Sequence, residues 1–291
     1  MSANFEPASK TEKSVEAYLE GIKNLPPTPT VLIKLIDMFR QSDVDVDEIV
    51  QLIRRDPALS LEVLRGCNNS FFGSGSAIED VNEAVYRLGF YEVYQITVTL
   101  FGMRVLTAPG NLPGFPAAEL RRHSSIAAIA AGAIAQNVGV AEGTAFTTAL
   151  LHDLGKLAFA IAEPARYVAL IDHCKLTGAS MSKLEEQTFG FTHSDLGAQL
   201  LRRWGMSKEV VDPVLGHNNP AAPEKSESLR VLTQTASELA NHLETKSSGM
   251  FSATPAGKRL MEFFGLETND VDGWEHLVRS KVKHFDSTRP L

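Results

Sequence analysis

Cysteine is scarce in this chain of 291 residues: there are two, Cys67 and Cys174, far apart and outside any CxxC pair. That spacing argues against a disulfide framework and leaves reduced thiols. Basic clusters are missing too, beyond pairs such as Arg54-Arg55, Arg121-Arg122 and Arg202-Arg203. The formal net charge is −7 and the pI about 5.7. A nucleic-acid partner needs a basic face for its phosphates, so none is expected. The longest apolar run, Ile126 to Ala135 with its glycine counted, is far short of the roughly 20 residues that span a bilayer. The opening MSANFEPASK lacks the apolar segment of a secretory signal. A cytoplasmic protein without a membrane partner is expected. No stretch alternates apolar and polar residues long enough to specify a sheet.

What the chain does have is helical periodicity almost throughout, which predicts an all-α fold. Thr28-Pro29 reads as a helix start, as do Asp45 with Glu48, Asp56-Pro57, Asp80 with Glu83, and Thr254-Pro255. Gly89 and Gly139 read as stops. The proline- and glycine-rich TAPGNLPGFP, residues 107–116, separates two predicted helical lobes, 20–106 and 117–245. Residues 1–19 form an N-terminal extension with part of a helix, and 246–291 a C-terminal helical extension read as packing on the bundle. The Ala-rich IAAIAAGAIA of the second lobe suits close helix–helix contact.

The stretch ALLHDLGKLAF, residues 149–159, sets His152 and Asp153 between two apolar runs. Burying either without a partner costs kcal/mol. His123, His193 and His217 also lie on apolar helix faces, by their spacing to Leu120, to Leu196 and Leu200, and to Val210 and Val214. Four imidazoles and a carboxylate facing one interior match a first-row ion such as Fe, Mn or Zn, or else a metal-free hydrogen-bonded core network. Adjacent residues in a helix diverge by about 100°. His152 and Asp153 therefore converge only if the helix ends there, and Gly155 is the expected stop. The remaining histidines, His173, His242, His276 and His284, are read as core residues satisfied by the backbone.

The H…HD pattern and LLHDLGK resemble the HD superfamily of metal-dependent phosphohydrolases. THSDLGAQLLRRWGMSKEVVDPVLGHN, residues 192–218, resembles both the HD-GYP phosphodiesterases and the HDOD subgroup. LPPTPTVLIKLIDMF, IVQLIRRDPALSLEVLRGCNNSFFG and IEDVNEAVYRLGFYEVYQITV resemble the first half of an HDOD domain. Residues of about 20 to 245 are thus similar to an HDOD protein, with an HD-domain-like second lobe. The resemblance implies metal ligands at His123, His152, Asp153, His193 and His217, and a phosphate-contacting role for Lys156 in active relatives. It also exposes departures. Asn218 stands where the HD-GYP pattern has a second histidine, the GYP motif is replaced by NPAAPEKSE, and Ser237 stands where a closing Asp is expected. Glu238 is one position and about 100° away.

The resemblance to HDOD proteins implies a non-catalytic bacterial signal-transduction module acting through a protein partner, with no output domain of its own, and these substitutions agree with it. The alternative is a metal-dependent phosphohydrolase or phosphodiesterase acting on a nucleotide or cyclic dinucleotide, with Lys156 stabilising phosphate.

Overall fold

Short acidic or hydroxyl side chains ahead of apolar runs start several helices. The computed structural model describes residues 15–22, 25, 30–39, 45–70, 77–107, 112–219, 221–245 and 250–287. Among them every regular element is helical. The first six are α1 (Val15–Glu20), α2 (Thr30–Phe39), α3 (Val46–Arg54), α4 (Pro57–Ser70), α5 (Val81–Leu88) and α6 (Phe90–Val105). Asp45 caps α3 by accepting from the backbone N–H groups of Asp47 and Glu48 at 2.9 and 3.3 Å. Asp56 accepts from Leu59 N at the start of α4, and Asp80 from Asn82 N at the start of α5. Each cap satisfies donors that the first helical turn leaves orphaned. Gly89 closes α5 at φ +84°, a conformation that suits glycine. The predicted Thr28-Pro29 start lies outside the described residues.

The next eight helices are α7 (Ala117–Ala135), α8 (Glu142–Leu151), α9 (Leu154–Ala162), α10 (Pro164–Thr177), α11 (Met181–Phe189), α12 (His193–Arg203), α13 (Lys208–Gly216) and α14 (Ser228–Glu244). A single 3-10 turn, Phe251–Ala253, precedes α15 (Pro255–Phe264) and α16 (Thr268–Ser287). The Ala-rich middle of α7 lets α8, α14 and α16 close on it. Ala127, Ala130 and Ala131 are fully buried there.

One apolar core runs from Leu19 through Ile53, Val98 and Phe159 to Val214. A second joins α7 and α14 to the C-terminal helices through Ile134, Leu239, Leu260, Trp274 and Val278. The short α1 packs on α12. There Tyr18 stacks edge-on against Phe159 and Phe191, and Arg203 donates to the Glu16 carbonyl at 2.9 Å. The segment Glu142–Ala162 is apolar and long enough to cross a membrane, but 83% of its most apolar window is buried inside the protein. Its helix is also interrupted in the middle, and that interruption builds the site.

Candidate functional site

The helix through Leu151 ends on His152, two residues earlier than Gly155 suggests, and α9 restarts at Leu154. Asp153 sits in the break at φ −97° and ψ 9°. Both side chains can therefore face one point, which neighbours within a regular helix cannot do. Gly155 has a different task. It lies inside α9, and a Cβ there would stand 1.9 Å from the His193 carbonyl oxygen and 2.7 Å from Gly197 N. Glycine lets α9 touch the start of α12, which carries His193 up to the pair.

All the predicted residues meet. His123 comes from α7, His193 opens α12, His217 caps the end of α13 and Ser237 comes from α14. His152, Asp153, His193 and His217 are 0–3% exposed and His123 is 8% exposed. Asp153 Oδ2 lies 3.4 Å from His152 Nε2 and 3.8 Å from His123 Nε2. Asp153 Oδ1 lies 3.3 Å from His193 Nε2 and 3.7 Å from His217 Nε2. The cluster therefore has two halves sharing one carboxylate, and the donor atoms within each half lie within 4.8 Å of one another.

Each ring is held from behind through Nδ1. His152 Nδ1 donates to the Ala149 carbonyl and His217 Nδ1 to the Val214 carbonyl, both at 2.6 Å. His193 Nδ1 donates to Glu185 at 2.6 Å and His123 Nδ1 to Glu244 at 3.0 Å. Carbonyl and carboxylate oxygens only accept, so the proton of each neutral ring sits on Nδ1 and the Nε2 lone pair faces inward. Ligating histidines are oriented for metal ions in this way. The donor set, four imidazoles and a carboxylate, fits a transition metal.

The electrostatics favour a neutral ring with an inward lone pair at His152 and His217 and a charged ring at His193. Burial drives His152 well below the ordinary 6.5 and lowers His217 as well. Burial also opposes charge on His193, but Glu185 behind it and Asp153 before it hold its pKa up at about 9, so its ring is the most basic of the three. Burial pushes the Asp153 carboxyl up, yet His152, Lys156, His193 and His217 outweigh it and hold the group well below the usual carboxylate range. Lys156 Nζ lies 2.6 Å from Asp153 Oδ2 and is partly exposed.

The departing positions are built into the same network. Ser237 Oγ lies 3.2 Å from His123 Nε2 and 3.1 Å from His152 Nε2. The Asn218 amide nitrogen lies 2.8 Å from His193 Nε2 and 2.7 Å from His217 Nε2. Glu238 does not replace the missing carboxylate, because both its oxygens accept from Arg259 at 2.9 Å.

Two carboxylates escaped the sequence reading. Glu185 is fully buried and accepts from Tyr167 Oη at 2.7 Å and His193 N at 2.9 Å, besides the ring. The turn between α11 and α12 brings it there across eight residues, and no cap motif or helix-face spacing in the sequence marks that turn. Glu244 had a signal: it is two turns beyond Ser237 on one helix face. Of the histidines read as core, His242 is buried near Glu275 and Phe251, while His173 is half-buried and His276 is exposed. The His284 side chain lies outside the described residues. Cys67 and Cys174 are both free.

Residues 25–220 match the family model of the HDOD domain. An uncharacterized protein of Treponema pallidum (strain Nichols) is 26% identical over 227 residues, 78% of this chain and 44% of that protein. A ribonuclease Y of Acholeplasma laidlawii (strain PG-8A) is 28% identical over 193 residues, 66% of this chain and 29% of that protein. The chain thus spans less than half the length of either relative. An HDOD domain protein of unknown function from Geobacter sulfurreducens matches in structure with a TM-score of 0.77 at 20% identity, covering 95% of this chain and 97% of that one. A candidate signal-transduction protein from Marinobacter aquaeolei VT8 matches at 0.71 and 23% identity, covering 98% and 62%. At such identities the likeness speaks for the fold.

Proposed function

The chain belongs to the HDOD domain family, and from that premise we propose that it is a non-catalytic signal-transduction module whose buried histidine–aspartate cluster binds a metal ion. The observation that carries the reading is the state of position 237. A hydroxyl stands where a charged ligand would close a hydrolytic site, and it is engaged with two imidazole nitrogens. A neutral hydroxyl is a poor replacement for a carboxylate ligand. The burial of His152, Asp153, His193 and His217 supports the same view, since a phosphate must reach the centre to be hydrolysed. Fold alone would not decide this, because one fold hosts both enzymes and binding modules.

An ion bound there would cross-link α7, the α8–α9 break, α12 and α13. The chain's own residues set the donors: Glu185, Glu244 and two backbone carbonyls fix the rings, and Lys156 balances Asp153. In this reading the module acts in the cytoplasm through a protein partner that docks on the helices of residues 20–106.

Hydrolysis assays test the reading against the phosphohydrolase alternative. Protein supplied with Mn²⁺ or Fe²⁺ and offered cyclic dinucleotides or nucleoside triphosphates should release no more product than the His152→Ala/Asp153→Ala variant. Turnover present in the wild type and absent from that variant would establish an enzyme instead.

A further inference from the structure

The helix α1 precedes the first lobe in sequence but packs on α12 of the second. Val15, Tyr18, Leu19 and Ile22 recur at i, i+3, i+4 and i+7 and form one apolar face. Leu19 is buried and the other three are partly buried against the main core, while Glu16, Ala17 and Glu20 are exposed. A helix of six residues does not persist in water on its own, so α1 owes its form to the surface beneath it.

That surface is built without α1. Phe159 stacks on Tyr167 and Phe191 with ring centroids 5.0 and 5.7 Å apart, and lies 4.5 Å from the Phe189 ring. The close approach of α9 to α12 at Gly155 fixes the two walls. Into this aromatic groove α1 inserts Tyr18, edge-on to Phe159 and Phe191. The rim is complementary to an acidic helix. Arg203 donates to the Glu16 carbonyl at 2.9 Å and stands 4.0 Å from Glu20. Glu163 accepts from Tyr18 Oη at 3.2 Å and is itself held by Arg166. An amphipathic helix laid into a preformed apolar groove with charged edges is a recurring mode of peptide recognition.

The groove also backs onto the histidine cluster. Phe191 stands two residues before His193. Tyr167, on the same aromatic platform, donates to Glu185, which holds the His193 ring. A change of occupant is therefore felt behind His193.

We propose that this groove is a docking site for an amphipathic helix of a protein partner, filled in cis by α1 until the partner displaces it. The partner helix carries apolar or aromatic residues at i, i+3, i+4 and i+7, with acidic residues toward Arg203. The site lies on the second lobe, apart from the surface of residues 20–106, and does not depend on the cluster holding a metal.

Two measurements on the full chain test this. In hydrogen exchange of the wild type, the α1 amides should exchange roughly 10-fold or more faster than those of α12, because α1 opens while the groove stays folded. The fluorescein-labelled peptide TEKSVEAYLEGIKN, residues 11–24, is then titrated by anisotropy against wild type and Leu19→Asp, with circular dichroism confirming the fold. Leu19→Asp places a carboxylate on the buried face of the cis helix and empties the groove. It should bind the peptide roughly 10-fold or more tightly than wild type, in which α1 competes. Adding Arg203→Glu should weaken that binding by about 5-fold, and a peptide carrying Tyr18→Ala and Leu19→Asp should not bind. Wild-type α1 amides as slow as those of α12, or a folded Leu19→Asp chain that ignores the peptide, would overturn the proposal. A wild-type dimer in light scattering that Leu19→Asp dissociates would overturn it too, because the occupant would then be α1 of a second copy.

Discussion

Gly155→Ala is expected to destabilise the protein by about 3 kcal/mol or more, although it adds one methyl group to a buried helix. The reason is the partner. The new Cβ would meet the His193 carbonyl at 1.9 Å and Gly197 N at 2.7 Å, both backbone atoms that cannot rotate away. Relief requires α9 and α12 to separate, and His193 would move with α12. In a chain of this size the loss reads as a fall in Tm of roughly 6–12 °C. Gly139→Ala supplies the contrast. Gly139 has φ +68° and nothing within 4 Å of a Cβ, so its cost is backbone strain alone, about 1 kcal/mol. A Gly155→Ala protein as stable as wild type would mean that the helices do not approach so closely.

Glu185→Ala should be at least as damaging, at about 3–5 kcal/mol. The carboxylate accepts from Tyr167 Oη, His193 N and His193 Nδ1, all buried. Truncation leaves three donors without an acceptor in the interior, and each carries its own desolvation cost. Glu185→Gln keeps one acceptor oxygen and should lose less.

The same pair has a pH signature in chelator-treated protein. Burial works against the charged form of Glu185, but His193 holds its pKa below the ordinary 4.5. That contribution is complete above pH 4.5 and fades as pH falls through the lowered value. His193 is raised from 6.5 to about 9, so its contribution is complete below pH 6.5 and is lost as pH rises through about 9. The difference in unfolding free energy between wild type and Glu185→Gln should therefore peak between pH 4.5 and 6.5 and shrink toward pH 9. A flat difference across that range would show that the two groups are not coupled.

Much of this architecture was legible because its signals are local. Asp45, Asp56, Asp80 and Thr254 each announce a helix within three residues, and each makes the cap bond its position suggests. The four histidines were legible because apolar periodicity fixes which face a residue shares. Properties that depend on turn geometry or on distant segments were not. Glu185 reaches His193, eight residues on, only through the way the turn between α11 and α12 is folded, and α1 finds α12 across most of the chain's length. Gly155 shows a subtler failure. A glycine after an apolar run reads equally well as a helix stop or as a close approach, and only the partner helix separates the two.

The metal content of protein purified without chelator or added metal, measured beside the His152→Ala/Asp153→Ala variant, tests the central claim most directly. Near-stoichiometric Fe, Mn or Zn in the wild type, lost in a variant that still folds, is the predicted result. Metal-free wild type that is as stable as it is folded, with the variant merely less stable, would contradict it and leave the cluster a hydrogen-bonded core.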